Sequence, residues 1–309
     1  QQEFIPAVEG YSVTLTLDET VQYITERELE KVYNEQQAAG ATAIVMNVKT
    51  GAVLGMANYP NFDPNNYGDV DAETWNNFAV NGTYEPGSTF KMVSSSMFLE
   101  EGVTGPSDHY YCAGSMRISG YNFKCWRSYR PHGDQTFGQA VGNSCNPVMA
   151  QVAFKLGYDK FYEYLRGFGF DRKTGIDLPG EAVGVMVNRD KAVDIDLAAM
   201  SIGQSNSYTP IQMITAISAV ANGGKLMQPY IVAKITDNDG NVVKENQPTV
   251  VRQVVSAQTS QTMREILNGV VEEGTGSRGK VEGYNVCGKT GTAQKVVDGR
   301  YSNTDYICS

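Results

Sequence analysis

The sequence is poor in basic residues and in histidine. Its 309 residues include 25 lysines and arginines against 34 aspartates and glutamates, which gives a net charge of −9 at pH 7. Nucleic-acid binding requires clustered basic side chains, so this balance argues against a nucleic-acid partner. Only two histidines are present, which weakens any catalytic triad that depends on histidine.

Long apolar runs are absent as well. The sequence holds no run of about 18 apolar residues, and it does not open with the charged and apolar regions of a signal segment. We therefore expect no membrane span within this sequence. A hydrophobic fraction of 41% is nevertheless sufficient for a sizeable core, in one large domain or in two.

Strand-like patterns occur at both ends of the chain, with helical patterns between them. We predict sheet parts at about 10–60 and 225–309, and a mostly helical lobe at about 75–222 inserted between them. After a first strand at 12–17, the segments ATAIVMNV and AVLGMA would form a hairpin with its turn at 49–51. This order of elements predicts an α+β fold, in which an antiparallel sheet is flanked by helices.

Two short motifs in the helical part carry residues suited to nucleophilic chemistry. The S-x-x-K motif at 88–91 follows Pro86-Gly87 and opens an apolar helical run, so its serine and lysine share one helix face. A second S-x-x-K, at 277–280, lies among glycines and is a weaker candidate. The S-x-N motif at 144–146 precedes Pro147, which suits the first position of a helix. In extended backbone Ser144 and Asn146 would point to one side and Cys145 to the other.

The third motif, K-T-G, occurs twice. The copy at 49–51 is explained as a hairpin turn. The copy at 289–291 follows Gly288 and is predicted to lie inside a strand, where a small residue lets a ligand approach the backbone closely. Each motif is weak alone, and only the three together, in this order, favour one chemistry.

The segments YEPGSTFK, NSCNP and GKTGTAQK resemble the transpeptidase domain of class B penicillin-binding proteins in their order and spacing. The resemblance covers nearly the whole chain, 1–309, and is strongest to the septal and sporulation branch. It implies D,D-transpeptidation, in which a D-Ala-D-Ala stem peptide acylates a serine and the acyl group passes to an amine of a neighbouring strand. It also implies acylation by β-lactams.

The family's catalytic roles can be carried over residue by residue. The resemblance implies Ser88 as nucleophile, Lys91 as its base with a lowered pKa, and Ser144 as proton relay to the leaving amine. Asn146 would hold the substrate amide, and the backbone N–H groups of Ser88 and Thr292 would form the oxyanion hole. The terminal carboxylate of the substrate would be bound by Lys289, Thr290, Gly291 and Thr292.

The resemblance also carries expectations about what lies outside the sequence. Relatives have an N-terminal membrane anchor and pedestal domain, which would place the protein on the extracytoplasmic face of the membrane. Partners among the cell-wall synthases would bind those other segments. Relatives also continue past Asp305-Tyr306-Ile307-Cys308-Ser309 with two more strands and a helix. Without these, the strand bearing Lys289 would have an unpaired edge.

The five cysteines are an odd number, so they cannot all pair within the chain. Three of them and one histidine follow each other with twelve, six and twelve residues between, in a polar, glycine-rich segment, and form a ligand set typical of structural zinc. Asp134 or His109 could replace one ligand. A Cys112–Cys125 disulfide and free buried thiols are the competing interpretations. Cys287 and Cys308 are expected to be small apolar fillers in strands. The zinc ligands would be Cys112, Cys125, His132 and Cys145.

Two other classes of function remain open at this stage. A β-lactam-sensing receptor domain would keep Ser88 and Lys91 and would be acylated without turnover. A zinc-dependent hydrolase would need a metal with an open coordination position, and its activity would not depend on Ser88.

Overall fold

The computed structural model describes residues 9–297 and 300–309. The α-helices in this range are α1 (Glu19–Glu35), α2 (Phe78–Asn81), α3 (Lys91–Glu100), α4 (Phe137–Gly142), α5 (Asn146–Leu156), α6 (Tyr158–Gly167), α7 (Asp194–Ser201), α8 (Pro210–Ala221) and α9 (Ala257–Glu272). The strands are β1 (Ser12–Leu15), β2 (Ala41–Met46), β3 (Val53–Tyr59), β4 (His109–Cys112), β5 (Ser115–Ile118), β6 (Tyr121–Lys124), β7 (Gly133–Thr136), β8 (Lys225–Met227), β9 (Val232–Thr236), β10 (Val242–Glu245), β11 (Val250–Gln253), β12 (Thr292–Val297) and β13 (Arg300–Cys308).

The N-terminal part combines α1 with short antiparallel strands. The Asp18 carboxylate accepts a hydrogen bond from the backbone N–H of Val21 and so caps the first turn of α1. Strands β2 and β3 form the predicted hairpin, with Ala41 opposite Tyr59. Strand β9 lies between β1 and β10 and pairs antiparallel with both.

All strand pairs in the described part of the chain are antiparallel, which agrees with the predicted α+β class. They form one three-stranded and five two-stranded sheets rather than the single sheet that the sequence suggested. Short backbone contacts connect some of the pieces, such as the hydrogen bond from Val53 N to Tyr230 O at 3.0 Å. The single-sheet expectation fails because the strands are short and several carry bulges.

The hydrophobic core is centred on the helical lobe. Helix α3 is buried from Lys91 to Phe98, because helices α5, α8 and α9 pack around it. Four short strands, β4 to β7, interrupt the helices at 109–136, and the sequence patterns did not indicate them. They form two small antiparallel pairs, which bring the cysteine-rich segment against the N-terminus of α5.

The C-terminal hairpin corrects two expectations. Strand β12 begins at Thr292, so Lys289 precedes the strand instead of lying inside it. Strand β13 pairs with β12 along the edge that was expected to be unpaired. Cys287 and Cys308 are both exposed, so neither is a buried apolar filler. In the described part of the chain, no helix combines the length and apolarity needed to cross a membrane.

Candidate active site

The amine of Lys91 is the point at which two of the sequence motifs meet. A 3-10 helix at Gly87–Phe90 carries Ser88 and leads directly into α3, whose first residue is Lys91. The Lys91 side chain is 0% exposed. Its Nζ donates hydrogen bonds to Ser144 O at 2.9 Å, Ser144 Oγ at 3.1 Å and Asn146 Oδ1 at 2.6 Å. The lysine of the first motif is therefore held by both polar side chains of the second.

The surroundings of Lys91 favour its neutral form. Burial lowers the pKa of Lys91 to about 7, and the positive charge of Lys289 acts in the same direction. A lysine with a pKa near 7 is partly unprotonated at neutral pH. Its amine can then accept a proton from a nearby hydroxyl group.

Ser88 lies at the start of this helical segment and is partly exposed. Its hydroxyl makes no hydrogen bond to any residue that the structure describes, Lys91 included. Catalytic hydrogen bonds are often long in the absence of substrate. The hydroxyl is thus accessible and one helical turn from a buried amine.

The Ser144-Cys145-Asn146 motif reaches this arrangement through an unexpected backbone conformation. Ser144 has a φ of 54°, which is the left-handed region and not extended backbone. Cys145 is the N-cap of α5 and Asn146 is its first residue. Both polar side chains still meet Lys91, while Cys145 is buried on the other side. As predicted, the side chains of Ser144 and Asn146 lie on one side and that of Cys145 on the other. The cause is the turn at the start of α5 and not the alternation of an extended strand.

The K-T-G motif approaches the same site from β12. Gly291 and Ser309 exchange both backbone hydrogen bonds, so Thr292 and Cys308 form the next, non-hydrogen-bonded pair. The N–H and C=O groups of Thr292 therefore point away from β13. A Cβ added at Gly87 would come within 2.9 Å of Thr292 O, which places this backbone edge against the Ser88 turn. The backbone of Thr292 thus borders the nucleophile candidate.

Lys289 and its neighbour are more accessible than Lys91. Lys289 is half-buried, and burial lowers its pKa to about 8. Among the described residues its Nζ donates only to the backbone carbonyl of Thr290, at 2.9 Å. The hydroxyl groups of Thr290 and Thr292 make no hydrogen bonds within the described part of the chain. These donors are available to a ligand that carries negative charge.

A cluster of three buried cysteines and one histidine lies behind the second motif. The ligand atoms of its four members are all within 4.8 Å of one another, and the buried His132 Nε2 has no partner among the described residues. Tetrahedral zinc with sulfur ligands requires S···S separations of about 3.8 Å, so the donor set fits a metal ion. The members are Cys112, Cys125, His132 and Cys145.

The structure disfavours the disulfide and the substitute ligands, whereas free buried thiols remain compatible with it. Cys112 and Cys125 are free thiols, which contradicts a disulfide between them. His109 and Asp134 are exposed and pair with each other at 3.0 Å, outside the cluster, so neither replaces a ligand. A hydrogen bond from Cys145 lowers the pKa of Cys125. A thiolate here is suited to ligating a cation.

One segment that borders the candidate nucleophile, Ser88, was not indicated by the sequence motifs. Residues 203–208 run alongside 84–87, with Gly87 N donating to Gly203 O at 2.9 Å. A Cβ at Gly203 would lie 2.2 Å from Gly87 O, so only glycine fits this contact. The only local signal for this segment is a glycine between two helices, which is too common to identify a site.

A partly exposed serine, a buried amine of lowered pKa and a flanking strand edge with free donors lie together in this α+β fold. The model of the penicillin binding protein transpeptidase domain matches residues 41–309. The chain belongs to this family.

Individual relatives agree with this assignment. The chain is 42% identical to stage V sporulation protein D of Bacillus subtilis, over 99% of this chain and 48% of that protein. It is 35% identical to penicillin-binding protein PbpB of Mycobacterium tuberculosis, over 95% of this chain and 44% of that protein. The chain thus spans about half the length of these curated relatives. Both relatives fit the septal and sporulation branch expected from the sequence.

Solved structures show the same fold. Penicillin binding protein 3 of Mycobacterium tuberculosis superposes with a TM-score of 0.92 at 34% identity, covering 99% of this chain and 71% of that one. The same protein has been solved in complexes with aztreonam and with ampicillin. The α+β transpeptidase fold predicted from the sequence is therefore confirmed.

Proposed function

We propose that this chain is the catalytic domain of a peptidoglycan D,D-transpeptidase that β-lactams acylate. The observation that carries the proposal is the buried Lys91 amine, which Ser144 and Asn146 contact directly. Burying a charged lysine is costly, so this site favours the neutral amine. The neutral amine is the form that can act as a base. Family membership supplies the reaction class in which such an amine serves as base.

In the first half-reaction, Ser88 Oγ attacks the carbonyl carbon of the penultimate D-alanine. Its proton passes to the neutral Lys91 Nζ, and an ester bond forms between serine and the acyl group. The backbone N–H groups of Ser88 and Thr292 donate to the oxygen that becomes negative. Ser144, hydrogen-bonded to Lys91, passes its proton to the nitrogen of the departing D-alanine and takes a proton from Lys91 in return, so that Lys91 is neutral again. The peptide bond to that residue breaks as this proton arrives.

In the second half-reaction an amine of a neighbouring peptidoglycan strand attacks the ester carbonyl. The same base accepts the proton of this amine, and Ser88 leaves with a proton returned from Lys91. Lys289, Thr290, Gly291 and Thr292 bind the terminal carboxylate of the donor peptide through charge and hydrogen bonds. We place this chemistry on the extracytoplasmic face of the membrane, where the stem peptides are.

The test is the intact mass of the protein after incubation with a β-lactam. Wild type should gain the mass of one β-lactam, and Ser88→Ala should gain none. Ser277→Ala, in the other S-x-x-K, is the matched control and should be acylated like wild type. An adduct that persists in Ser88→Ala contradicts the proposal.

Turnover separates the transpeptidase from a sensing receptor. A transpeptidase releases D-alanine from a D-Ala-D-Ala peptide and transfers the acyl group to an added amine. A receptor is acylated by the β-lactam but shows neither reaction. The zinc-dependent hydrolase is disfavoured because four protein ligands already complete a tetrahedral set. Hydrolysis that survives Ser88→Ala and stops with a chelator would revive it.

We further propose that Cys112, Cys125, His132 and Cys145 bind a structural zinc ion. Cys145 lies between the two side chains that contact Lys91, so the metal would fix the start of α5 and hence their positions. Bound zinc would neutralise the buried thiolate charge and join three segments that have few aliphatic residues between them.

Metal analysis and chelation test this second proposal. The purified protein should contain one zinc per chain, and removal of the metal should lower both the melting temperature and the acylation rate. Cys287→Ser, at an exposed cysteine outside the cluster, is the control and should keep its zinc. Absence of zinc, with melting temperature and acylation unaffected by EDTA, would refute the metal site.

A further inference from the structure

Three separate chain segments meet around the side chain of Glu85, three residues before Ser88. Its Oε1 accepts a hydrogen bond from the backbone N–H of Ser205 at 2.9 Å and from the Tyr301 hydroxyl at 3.3 Å. Ser205 belongs to the segment that lies beside 84–87, and Tyr301 belongs to β13. One carboxyl group thus links elements that are more than a hundred residues apart in sequence.

The linked segments are those that carry the two proposed oxyanion donors. The Ser88 N–H belongs to the turn after Glu85, and the Thr292 N–H belongs to β12, the partner strand of β13. Backbone contacts hold the two closely, since a Cβ at Gly291 would come within 2.9 Å of Pro86 O. The Glu85–Tyr301 hydrogen bond is a side-chain connection across the same boundary.

Three further observations indicate that the surroundings of Glu85 are specific to its carboxyl group. Its Oε2 is buried without a partner among the described residues. Burial raises the pKa of Glu85, and burial, followed by the nearby carboxyl group, raises the pKa of Tyr301 to about 12. Ser205 has a φ of 66°, an unusual conformation for a residue other than glycine, and its N–H is the group that Glu85 binds.

We propose that Glu85 is a positioning residue for acylation, whose carboxyl group holds the Ser88 turn, the 203–208 segment and the β12–β13 hairpin in the arrangement that aligns the two oxyanion donors. This inference rests on the proposed function, because the oxyanion hole is part of it. Glu85 itself touches no reacting atom and acts through Ser205 and Tyr301.

The experiment measures the acylation rate constant at saturating β-lactam and the non-covalent dissociation constant separately. Glu85→Ala removes the acceptor, and we expect the rate constant to fall about 30-fold with an unchanged dissociation constant, since small displacements in an active site cost up to about 10²-fold. Glu85→Gln keeps an acceptor oxygen and should stay within about threefold of wild type. Tyr301→Phe should lose about fivefold, the usual value of one hydrogen bond.

Two controls separate positioning from damage to the fold. A purely structural defect lowers the fraction of molecules that acylate, seen as the final amplitude, and leaves the rate constant of the active fraction unchanged. Tyr284→Phe removes a hydroxyl from an exposed tyrosine whose hydroxyl has no hydrogen bond within the described residues, and should behave as wild type.

The outcomes are distinct. Wild-type rate constants in Glu85→Ala and Tyr301→Phe overturn the inference, as does a Gln variant that is as slow as the Ala variant. If wild type itself is not acylated at Ser88, the proposed function fails and not this inference alone. If Glu85→Ala does not fold, the Tyr301→Phe and Glu85→Gln rate constants decide the question.

Discussion

The two lysines of the proposed active site have opposite surroundings. Lys91 is fully buried, makes three hydrogen bonds with the second motif, and has a pKa lowered to about 7. Lys289 is half-buried, contacts only its neighbour's carbonyl, and has a pKa lowered to about 8. The first amine is already satisfied by the protein, whereas the second has donors left for a ligand. This difference supports the proposed roles, Lys91 as base and Lys289 as carboxylate-binding group.

The largest effect should follow from removing the buried amine. Lys91→Met keeps a similar volume and eliminates the proton acceptor, so the acylation rate constant should fall by about 10²- to 10⁴-fold, the usual value of general base catalysis. The variant should fold, because methionine fills a similar volume, but its melting temperature should fall because three acceptors lose their donor. Stopped-flow acylation and thermal melting measure the two effects.

A matched control is Lys173→Met, at an exposed lysine whose side chain has no hydrogen bond or ion pair within the described residues, which should acylate like wild type. Rapid acylation of Lys91→Met would remove the contrast between the two lysines. Another group would then have to be the base.

The next largest effect should come from the half-buried Lys289 and depend on the ligand. Lys289→Ala should slow acylation by a carboxylate-bearing β-lactam by about 10- to 100-fold, because a hydrogen bond to a charged group is lost. Loss of its charge also raises the pKa of Lys91, which slows all ligands alike. The ratio of rates for the free acid and its methyl ester isolates the carboxylate effect.

In Lys289→Ala the ratio of the acylation rates for the free acid and the methyl ester should fall by most of the loss expected for the acid, about 10- to 100-fold. An equal loss for the acid and the ester would mean that Lys289 acts only on Lys91. The proposed role in carboxylate binding would then be wrong.

The sequence predicted the polar groups of the site better than it predicted their geometry. The three motifs in this order were sufficient to select Lys91, Ser144 and Asn146, because only together do they favour one chemistry. The left-handed backbone of Ser144 was not predictable, since tertiary contacts impose it against local preference. Glu85 was missed because its partners, Ser205 and Tyr301, are 120 and 216 residues away, and no local pattern records them.

The same limit explains the errors in the fold. Hydrophobic alternation indicated strands at both ends but could not show that they pair as separate short sheets. It also placed Cys308 in a strand without showing that its side chain is exposed. The four cluster ligands were selected by residue type and number alone, and the structure brings all four together. Residue chemistry therefore transfers from the sequence more reliably than burial does.

The pH dependence of acylation should report the two lysines separately. The rate should rise through about pH 7 as Lys91 loses its proton, and fall through about pH 8 as Lys289 loses its positive charge. In Lys289→Arg the guanidinium stays charged, so the fall above pH 8 should disappear while the rise near pH 7 remains. At pH 9 the acylation rate of wild type should be about tenfold below the rate it would have if Lys289 stayed fully charged.

The measurement is the second-order acylation constant from pH 5 to 10, with melting temperatures to exclude unfolding at the extremes. The rise near pH 7 serves as the internal control, because Lys289→Arg keeps the positive charge that acts on Lys91. A high-pH fall that persists in Lys289→Arg would assign it to another group.

The smallest effect should come from Thr290, whose hydroxyl has no partner within the described part of the chain. Thr290→Val keeps the shape and removes the donor, so affinity for carboxylate ligands should fall about fivefold, the value of one hydrogen bond. The melting temperature should not change, because no existing contact is lost. Ser144→Ala provides the contrast, since it removes a partner of the buried Lys91 and should lower both stability and acylation. If Thr290→Val destabilises the protein as much as Ser144→Ala does, the carboxylate side of the site is as tightly built as the base side, and the comparison between the two lysines fails.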